Sequence, residues 1–381
     1  MNKKEDLYIV ISSIGVLVLA WSLLHDHLKG NVINYGLYDK YGIIIGVTLT
    51  FLGLILFIRN LSIKVNIHKI LLVVILVALL TSTSGFSYGY YLSEQDRQEE
   101  ISEYDKWVIG IYKSSSSEPF NFTGYDVNNP VLTASDITDI PAAFVADPFL
   151  IHENNLYYMF FEVLNTDTDQ GDIGLAISND GFNWTYEQII LDEDFHLSYP
   201  CVFKWKNDYY MIPETYQAES VRLYKSNNFP YNWSFVKTLL EGRDFFVDNT
   251  IFHYNNTWWL FTETGSNNLL RFYYSDKPTG HWIEHPESPI INGDANISRP
   301  GGNVIVFDKQ RIIRYTQDDD PYYGNQVWAF EITALTKTTY EEYRVGRTPI
   351  LKGFDNWNTR GMHHISLCSV GDGWIASIDG Y

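Results

Sequence analysis

Basic side chains are scarce in this sequence: 27 Lys and Arg stand against 46 Asp and Glu, a formal charge of -19. A nucleic-acid surface needs clustered Lys and Arg to neutralise phosphates, so the composition argues against that class of partner. A salty habitat would account for the same acidity. Cysteine is nearly absent. Cys201 and Cys368 cannot make a disulfide framework, and whether they pair or remain separate thiols stays open. No Cys/His spacing suits zinc, and no Gly-rich loop suits a nucleotide phosphate. What is abundant is aromatic: 28 Tyr and 22 Phe favour strands and sugar-stacking surfaces over helical bundles.

Charge is also missing from three apolar runs in the first 95 residues: 7–24, 42–58 and 70–91. Each approaches the length of about 20 residues that crosses a bilayer as a helix. Lys3 and Lys4 precede the first run, and Arg59, Lys64 and Lys69 lie between the second and third. The excess of positive residues places both segments in the cytoplasm, so the expectation is a multi-pass anchor in the cell membrane with everything after Tyr91 outside. With no ionisable residue inside the runs, they read as an anchor and not as a transport path. Residues 96–104 read as a polar linker.

Beyond residue 104 one unit recurs. "DPFLIHENNLYYMFFE" from Asp147, "YPCVFKWKNDYYMIPE" from Tyr199 and "DNTIFHYNNTWWLFTE" from Asp248 each hold two strand patterns around an Asn- or Asp-bearing turn. Each closes 15 residues later, on Glu162, Glu214 and Glu263. A fourth copy starts at Arg299 with Arg314 at the closing position, and a fifth runs from His364 to Asp379. Trp184, Trp233 and Trp282 repeat with a spacing of 49, and packing between repeats is the preferred role for them. Four short strands in each repeat of roughly fifty residues is the pattern of a β-propeller, here five-bladed over 105–381. The fifth copy has only two strands. The ring would close by pairing of residues 105–140, where "KWVIGIYKS" and "PVLTASDI" are strand-like, with the C-terminal blade.

Antiparallel pairing returns each closing residue to the end where its hairpin began. Asp147, Tyr199, Asp248, Arg299 and His364, with Glu162, Glu214, Glu263, Arg314 and Asp379, are therefore expected to form one polar ring at the mouth of a central funnel. Clustered carboxylates repel unless a cation, a shared proton or a substrate relieves them. Glycoside hydrolysis uses such a cluster, one carboxyl remaining protonated as acid while another acts as base or nucleophile.

These residues resemble the superfamily of five-bladed propellers that includes family 43 glycoside hydrolases, arabinanases, levansucrases and invertases. The resemblance is carried by "ADPF" at Asp147, an acid opening the third blade at Asp248 where Glu is usual, "RPGG" at Arg299, and "GMHHIS" at His363 and His364. Tyr199 departs from it, standing where a third acid is usual. A more specific likeness, over nearly all of 107–380, is to the N-terminal propeller of plant glucosamine inositolphosphorylceramide transferases. It rests on "FVADPF", "YYMFFE", "GDIGLA", "FHLSYP", "YYMIPET", "FVDNTIF", "RPGG" and "GMHH". In those proteins the transferase chemistry is assigned to a separate C-terminal domain, so the likeness implies a carbohydrate-related propeller and carries no transferase activity onto these residues.

The resulting expectation is a carbohydrate-active, glycoside hydrolase-like propeller acting on a surface glycan or glycolipid. Asp147 would be base or nucleophile and Glu214 or Asp248 the acid; Arg299 and His364 would orient the sugar, with Glu162, Tyr199 and Glu263 beside it. The alternative is a non-catalytic glycan-binding module that serves a separate glycosyltransferase or other sugar-modifying enzyme. No cofactor is required. His363, His364 and nearby carboxylates could hold Ca²⁺ at the axis.

Overall fold

The computed structural model describes residues 107–122, 127–242, 244–308 and 310–381. The three apolar runs and the polar linker lie outside the described residues. Among the described residues no helix is long and apolar enough to cross a membrane.

The described chain is a five-bladed β-propeller. After β1 (Val108–Ser114), the first blade is β2 (Ala142–Glu153), β3 (Leu156–Asn165), β4 (Gln170–Ser178) and β5 (Thr185–Leu191). The second is β6 (Ser198–Trp205), β7 (Asp208–Glu214), β8 (Ser220–Asn228) and β9 (Asn232–Glu241). In the third, β10 (Val247–Tyr254), β11 (Thr257–Thr264) and β12 (Leu269–Ser275) are followed by the short β13 (Ile283–Glu284) and β14 (Ile291–Asn292), which both pair with β12. The fourth holds β15 (Ile305–Phe307), β16 (Arg311–Asp318), β17 (Gln326–Leu335), β18 (Tyr340–Arg344) and β19 (Leu351–Lys352). The fifth joins β20 (Ile365–Val370) and β21 (Gly373–Gly380) to β1, with Val108 opposite Gly380 and Ser114 opposite Trp374.

Local chemistry explains the hairpins. Asn154-Asn155 and Asn255-Asn256 have positive φ at both residues, as a two-residue hairpin turn of this hand requires, and Asn tolerates that region better than most side chains. "PVLTASDI" does not become a strand. The Asn129 side chain accepts the Ile111 N–H at 2.7 Å and donates to the Ile111 carbonyl at 2.9 Å, taking the place of a strand backbone. A single bridge follows, Ile109 to Leu132, and then a turn over Ala134–Asp136 in which the Asp136 carboxylate accepts the Thr133 N–H. The fifth blade is accordingly three-stranded.

Aromatic and branched side chains fill the space between blades. Phe149, Tyr199, Ile251, Leu260 and Trp282 belong to one buried cluster that joins the first three blades. The repeated Trp residues pack and also brace their turns: Trp184 donates its indole N–H to the Gly181 carbonyl, Trp233 to Pro230 and Trp282 to Pro278, at 3.1, 2.8 and 3.2 Å. Cys201 and Cys368 are free thiols; Cys201 is buried and Cys368 half-buried.

Candidate functional site

A repeated distortion aims the site residues. The register slips between Ala146 and Phe149, Ser198 and Cys201, and Val247 and Thr250, so two residues face one on the partner strand. The first residue of each bulge, Asp147, Tyr199 or Asp248, has a φ of 52°, 45° or 50°. Positive φ at a residue with a side chain is uncommon and is retained where the surroundings enforce it, often at functional sites. Opposite each bulge, Ala146 pairs with Glu162, Ser198 with Glu214 and Val247 with Glu263.

The structure brings Asp147, Glu162, Glu214, Asp248, Glu263 and Asp379 into one buried cluster, each 6% exposed or less. The carboxyls divide by environment. Burial raises Asp147, but facing His364, His363 and Arg299 outweigh it and hold this carboxyl below its ordinary range. His364 Nδ1 is 3.4 Å and His363 Nε2 3.9 Å from Asp147 Oδ1. Burial, then the charges of Asp147, Glu214, Asp248 and Asp379, push Glu162 well up. Glu214 is likewise pushed well up by burial and by Asp248, against the opposing pull of Arg299. Glu263 rises to about 7, chiefly through burial, although its Oε1 accepts the Asn268 N–H at 3.0 Å. Burial also raises Asp248, with Arg299 opposing.

Arg299 binds the third-blade acid directly: its Nε donates to Asp248 Oδ2 at 2.6 Å and its Nη1 to Asn267 Oδ1 at 3.1 Å. Gln317 Nε2 donates to the same Asp248 oxygen at 2.5 Å. Asp248 is thus occupied by two donors. The Asp248 N–H donates to Glu214 Oε2 at 3.0 Å, and Arg299 Nη2 lies 4.0 Å from that oxygen.

At the ring closure, Asp379 acts as an acceptor hub. Its Oδ1 receives the backbone N–H groups of His363 and His364 at 3.2 and 3.0 Å and His363 Nδ1 at 2.7 Å; its Oδ2 receives the Asp147 N–H at 2.9 Å. Burial lowers His363, but Asp379, Asp147 and Asp248 raise it to about 9, so the ring is an imidazolium at neutral pH. Trp107 stacks on it with centroids 4.0 Å apart. His364 is fully buried between the Phe149 and Tyr199 rings.

Asp147, His363 and Asp379 each offer a ligand atom within 4.8 Å of the others. Asp379 already accepts four N–H groups, that of His363 Nδ1 among them, so these side chains supply few of the six to eight oxygen ligands that Ca²⁺ takes and do not by themselves make a calcium site.

Two expected ring members are placed elsewhere. Tyr199 is wholly buried, its hydroxyl hydrogen-bonded to Thr250 Oγ1 at 2.8 Å and to the N–H and C=O of Gly302 at 2.7 and 3.1 Å, so it ties three blades together. Arg314 leaves the ring. Its guanidinium binds Glu342 on β18 and lies over Phe330, because the fourth hairpin is longer than the others. Gln317, three residues later, donates its backbone N–H to Arg299 and occupies the mouth instead. Residues not read from the sequence are Gln317, Asp319, Tyr323, Trp107 and His196. Asp319 is raised by burial and faces Arg299, whose guanidinium lies 5.0 Å from the Tyr323 ring. His196 Nε2 is 3.4 Å from Glu162 Oε1. "FHLSYP" was already a motif of the resemblance, but a lone His in an irregular segment gave no reason to single it out.

Fold and site together define a five-bladed propeller with a buried acid-base cluster at its axis. The particular family follows from comparison: residues 104–381 match the family described as "Glucosamine inositolphosphorylceramide transferase 1, N-terminal", and the chain belongs to it. It is 37% identical over 296 residues to "Glucosamine inositolphosphorylceramide transferase 1" of Oryza sativa subsp. indica, covering 72% of this chain and 40% of that protein. The protein of the same name from Arabidopsis thaliana is 35% identical over 301 residues, covering 72% and 39%. The chain spans about two fifths of the length of these curated relatives. Among solved structures, "Beta-1,2-Mannobiose phosphorylase from Listeria innocua" superposes with a TM-score of 0.51 at 13% identity, over 71% of this chain and 96% of that one, a likeness of fold alone.

Proposed function

We propose that this protein is a membrane-anchored, extracytoplasmic carbohydrate-active propeller that hydrolyses a glycosidic bond in a surface glycan or glycolipid. The observation that carries the reading is the gathering of six buried carboxyls at the axis, with Asp147 facing two imidazoles and Asp248 bound by Arg299. Asp147 is held low, while Glu162 and Glu214, in the same cluster, are held high. A pair of carboxyls forced apart in pKa is the arrangement that acid-base hydrolysis of a glycoside requires. Asp147, ionised, acts as base or nucleophile. The acid is one of the raised carboxyls, Glu162 or Glu214; Asp248 is less suited, since Arg299 and Gln317 occupy one of its oxygens. Arg299 and Tyr323 form the polar and aromatic wall against which a sugar ring is oriented. The relatives' name couples a sugar to a lipid, which supports a glycan or glycolipid as partner.

One observation favours a second reading, a glycan-binding module serving a separate sugar-modifying enzyme: Tyr199 takes a position where an acid is usual and commits its hydroxyl to the protein. The test is Asp147→Asn in the full chain. Hydrolysis of a panel of glycans and glycolipids should be abolished with the circular dichroism spectrum unchanged. Full activity in the variant removes Asp147 from the mechanism; binding by both proteins with release by neither establishes the second reading.

A further inference from the structure

Of the two raised carboxyls, Glu214 already accepts a backbone N–H beside Arg299, whereas Glu162 faces a neutral imidazole donor. We propose that Glu162 delivers the proton to the leaving oxygen and that His196 is its positioning residue. This rests on the hydrolytic reading above and names the residues of its acid half.

Three observations carry it. First, the pairing of Ala146 with Glu162 sets Glu162 beside the bulge that presents Asp147, close enough for the charge of Asp147 to act on it. Second, His196 has a fixed tautomer. Its Nδ1 accepts the Gly171 N–H at 2.9 Å, which places the proton of the neutral ring on Nε2, 3.4 Å from Glu162 Oε1. Burial lowers this imidazole to about 4, so it stays neutral at physiological pH. Its backbone N–H is held by Gln217 Oε1 at 2.9 Å. Third, the space for this arrangement depends on Gly171: a Cβ there would stand 2.8 Å from Glu162 Oε1, 2.9 Å from the His196 ring and 2.3 Å from the Leu197 carbonyl. Glu214 is placed differently: its Oε2 already accepts the Asp248 N–H beside the Arg299 cation, contacts that favour its carboxylate form before any proton is given up, whereas Glu162 meets only a neutral imidazole. The groups facing Glu162 are Asp147, Glu214, Asp248 and Asp379 across the cluster, and His196 from the β5–β6 connection.

In the step, the bond from the anomeric carbon to the leaving oxygen breaks with its electron pair remaining on that oxygen, the Glu162 hydroxyl proton caps it, and the anomeric carbon bonds instead to the Asp147 carboxylate or to the oxygen of a water whose proton Asp147 takes. The carboxylate that forms is met by the Nε2–H of His196, which closes to a full hydrogen bond as charge develops. A donor already oriented in the low-dielectric interior before the charge appears needs only this short closure during reaction.

The experiment uses the full chain with Glu162→Gln, Glu214→Gln, His196→Ala and His196→Gln, assayed on 4-nitrophenyl glycosides and on the unactivated glycan of the panel that wild type cleaves best. Loss of a proton donor costs on the order of 10²–10⁴-fold where the leaving group needs protonation. Glu162→Gln should therefore cripple the glycan and largely spare the nitrophenyl substrate, whose leaving group departs unprotonated. His196→Ala should move the alkaline limb of the pH profile upward and lower kcat more than it changes KM, with His196→Gln restoring much of both because its amide still donates. Equal losses on both substrates in Glu162→Gln, or an unmoved alkaline limb in His196→Ala, would overturn the assignment. Infrared spectra of the substrate-free chain separate this from failure of the hydrolytic reading. If wild type cleaves nothing, that reading fails; a protonated-carboxyl band at neutral pH, lost in Glu162→Gln and shifted in His196→Ala, would still establish the pair, and its absence would sink it.

Discussion

Raising the pH should loosen the ring closure through one residue, His363. Its pKa rises from 6.5 to about 9 in the folded chain because, despite burial, Asp379, Asp147 and Asp248 favour the charged ring. The folded state therefore holds this proton more tightly than the unfolded chain. Its stabilisation is fully present below pH 6.5 and is lost as the pH rises through about 9. At 1.36 kcal/mol for each unit, the full span amounts to about 3 kcal/mol, a large share of the stability of an ordinary domain. Glu263, also raised, loses its contribution between 4.5 and about 7, and Glu162 and Glu214, held well up, lose theirs as the pH rises as well, so in the interval from 7 to 9 the share of His363 is read as the difference between wild type and a His363 variant. The assay is urea unfolding of the full chain, followed by Trp fluorescence at closely spaced pH values, for wild type and His363→Gln. Wild type should lose stability across that interval, and the variant, weaker at the low end, should lose much less. Parallel curves for the two proteins would refute the reasoning, as would wild-type stability that rises with pH.

Three further perturbations separate positioning from chemistry. Tyr199→Phe leaves the buried Gly302 N–H without its acceptor, and should lower stability by about 1–3 kcal/mol in chemical denaturation with little change in glycan binding. Gly302→Ala places a Cβ 1.7 Å from the Ile365 carbonyl at a φ of 133°, so soluble, folded protein should be largely lost on gel filtration. Arg314→Met leaves half-buried Glu342 with only the Tyr340 hydroxyl as donor and should cost about 1–3 kcal/mol, while the folded protein binds glycan as wild type does. Weakened glycan binding by that folded protein would return Arg314 to the site.

The blades were legible because the hairpins repeat their turn chemistry and spacing. Asn-Asn turns and a closing acid at constant offset fix the same register in the first and third blades, and the bulge at the opening residue keeps the pair together. The fourth blade was not. Its hairpin is longer, and counting from Arg299 marks Arg314 when the residue returned to the mouth is Gln317. "PVLTASDI" failed for a local reason, since an Asn129 amide substitutes for strand backbone and no alternation of side chains reveals that. Within the site, the carboxyls were readable as a set, but their division was not. Which acid is held low depends on His363, His364 and Arg299 arriving from distant blades, and His196 gains meaning only beside Gly171 and Glu162.

If the proposed reaction runs, water is added across a glycosidic bond with Asp147 ionised in the axial cluster. The most direct test is to incubate the full chain with a glycan and glycolipid panel in ¹⁸O-labelled water and analyse the products by mass spectrometry, with Asp147→Asn alongside. Wild type should release sugar carrying one label at its anomeric position, and the variant none. Glycans bound by both proteins and recovered intact and unlabelled would contradict it.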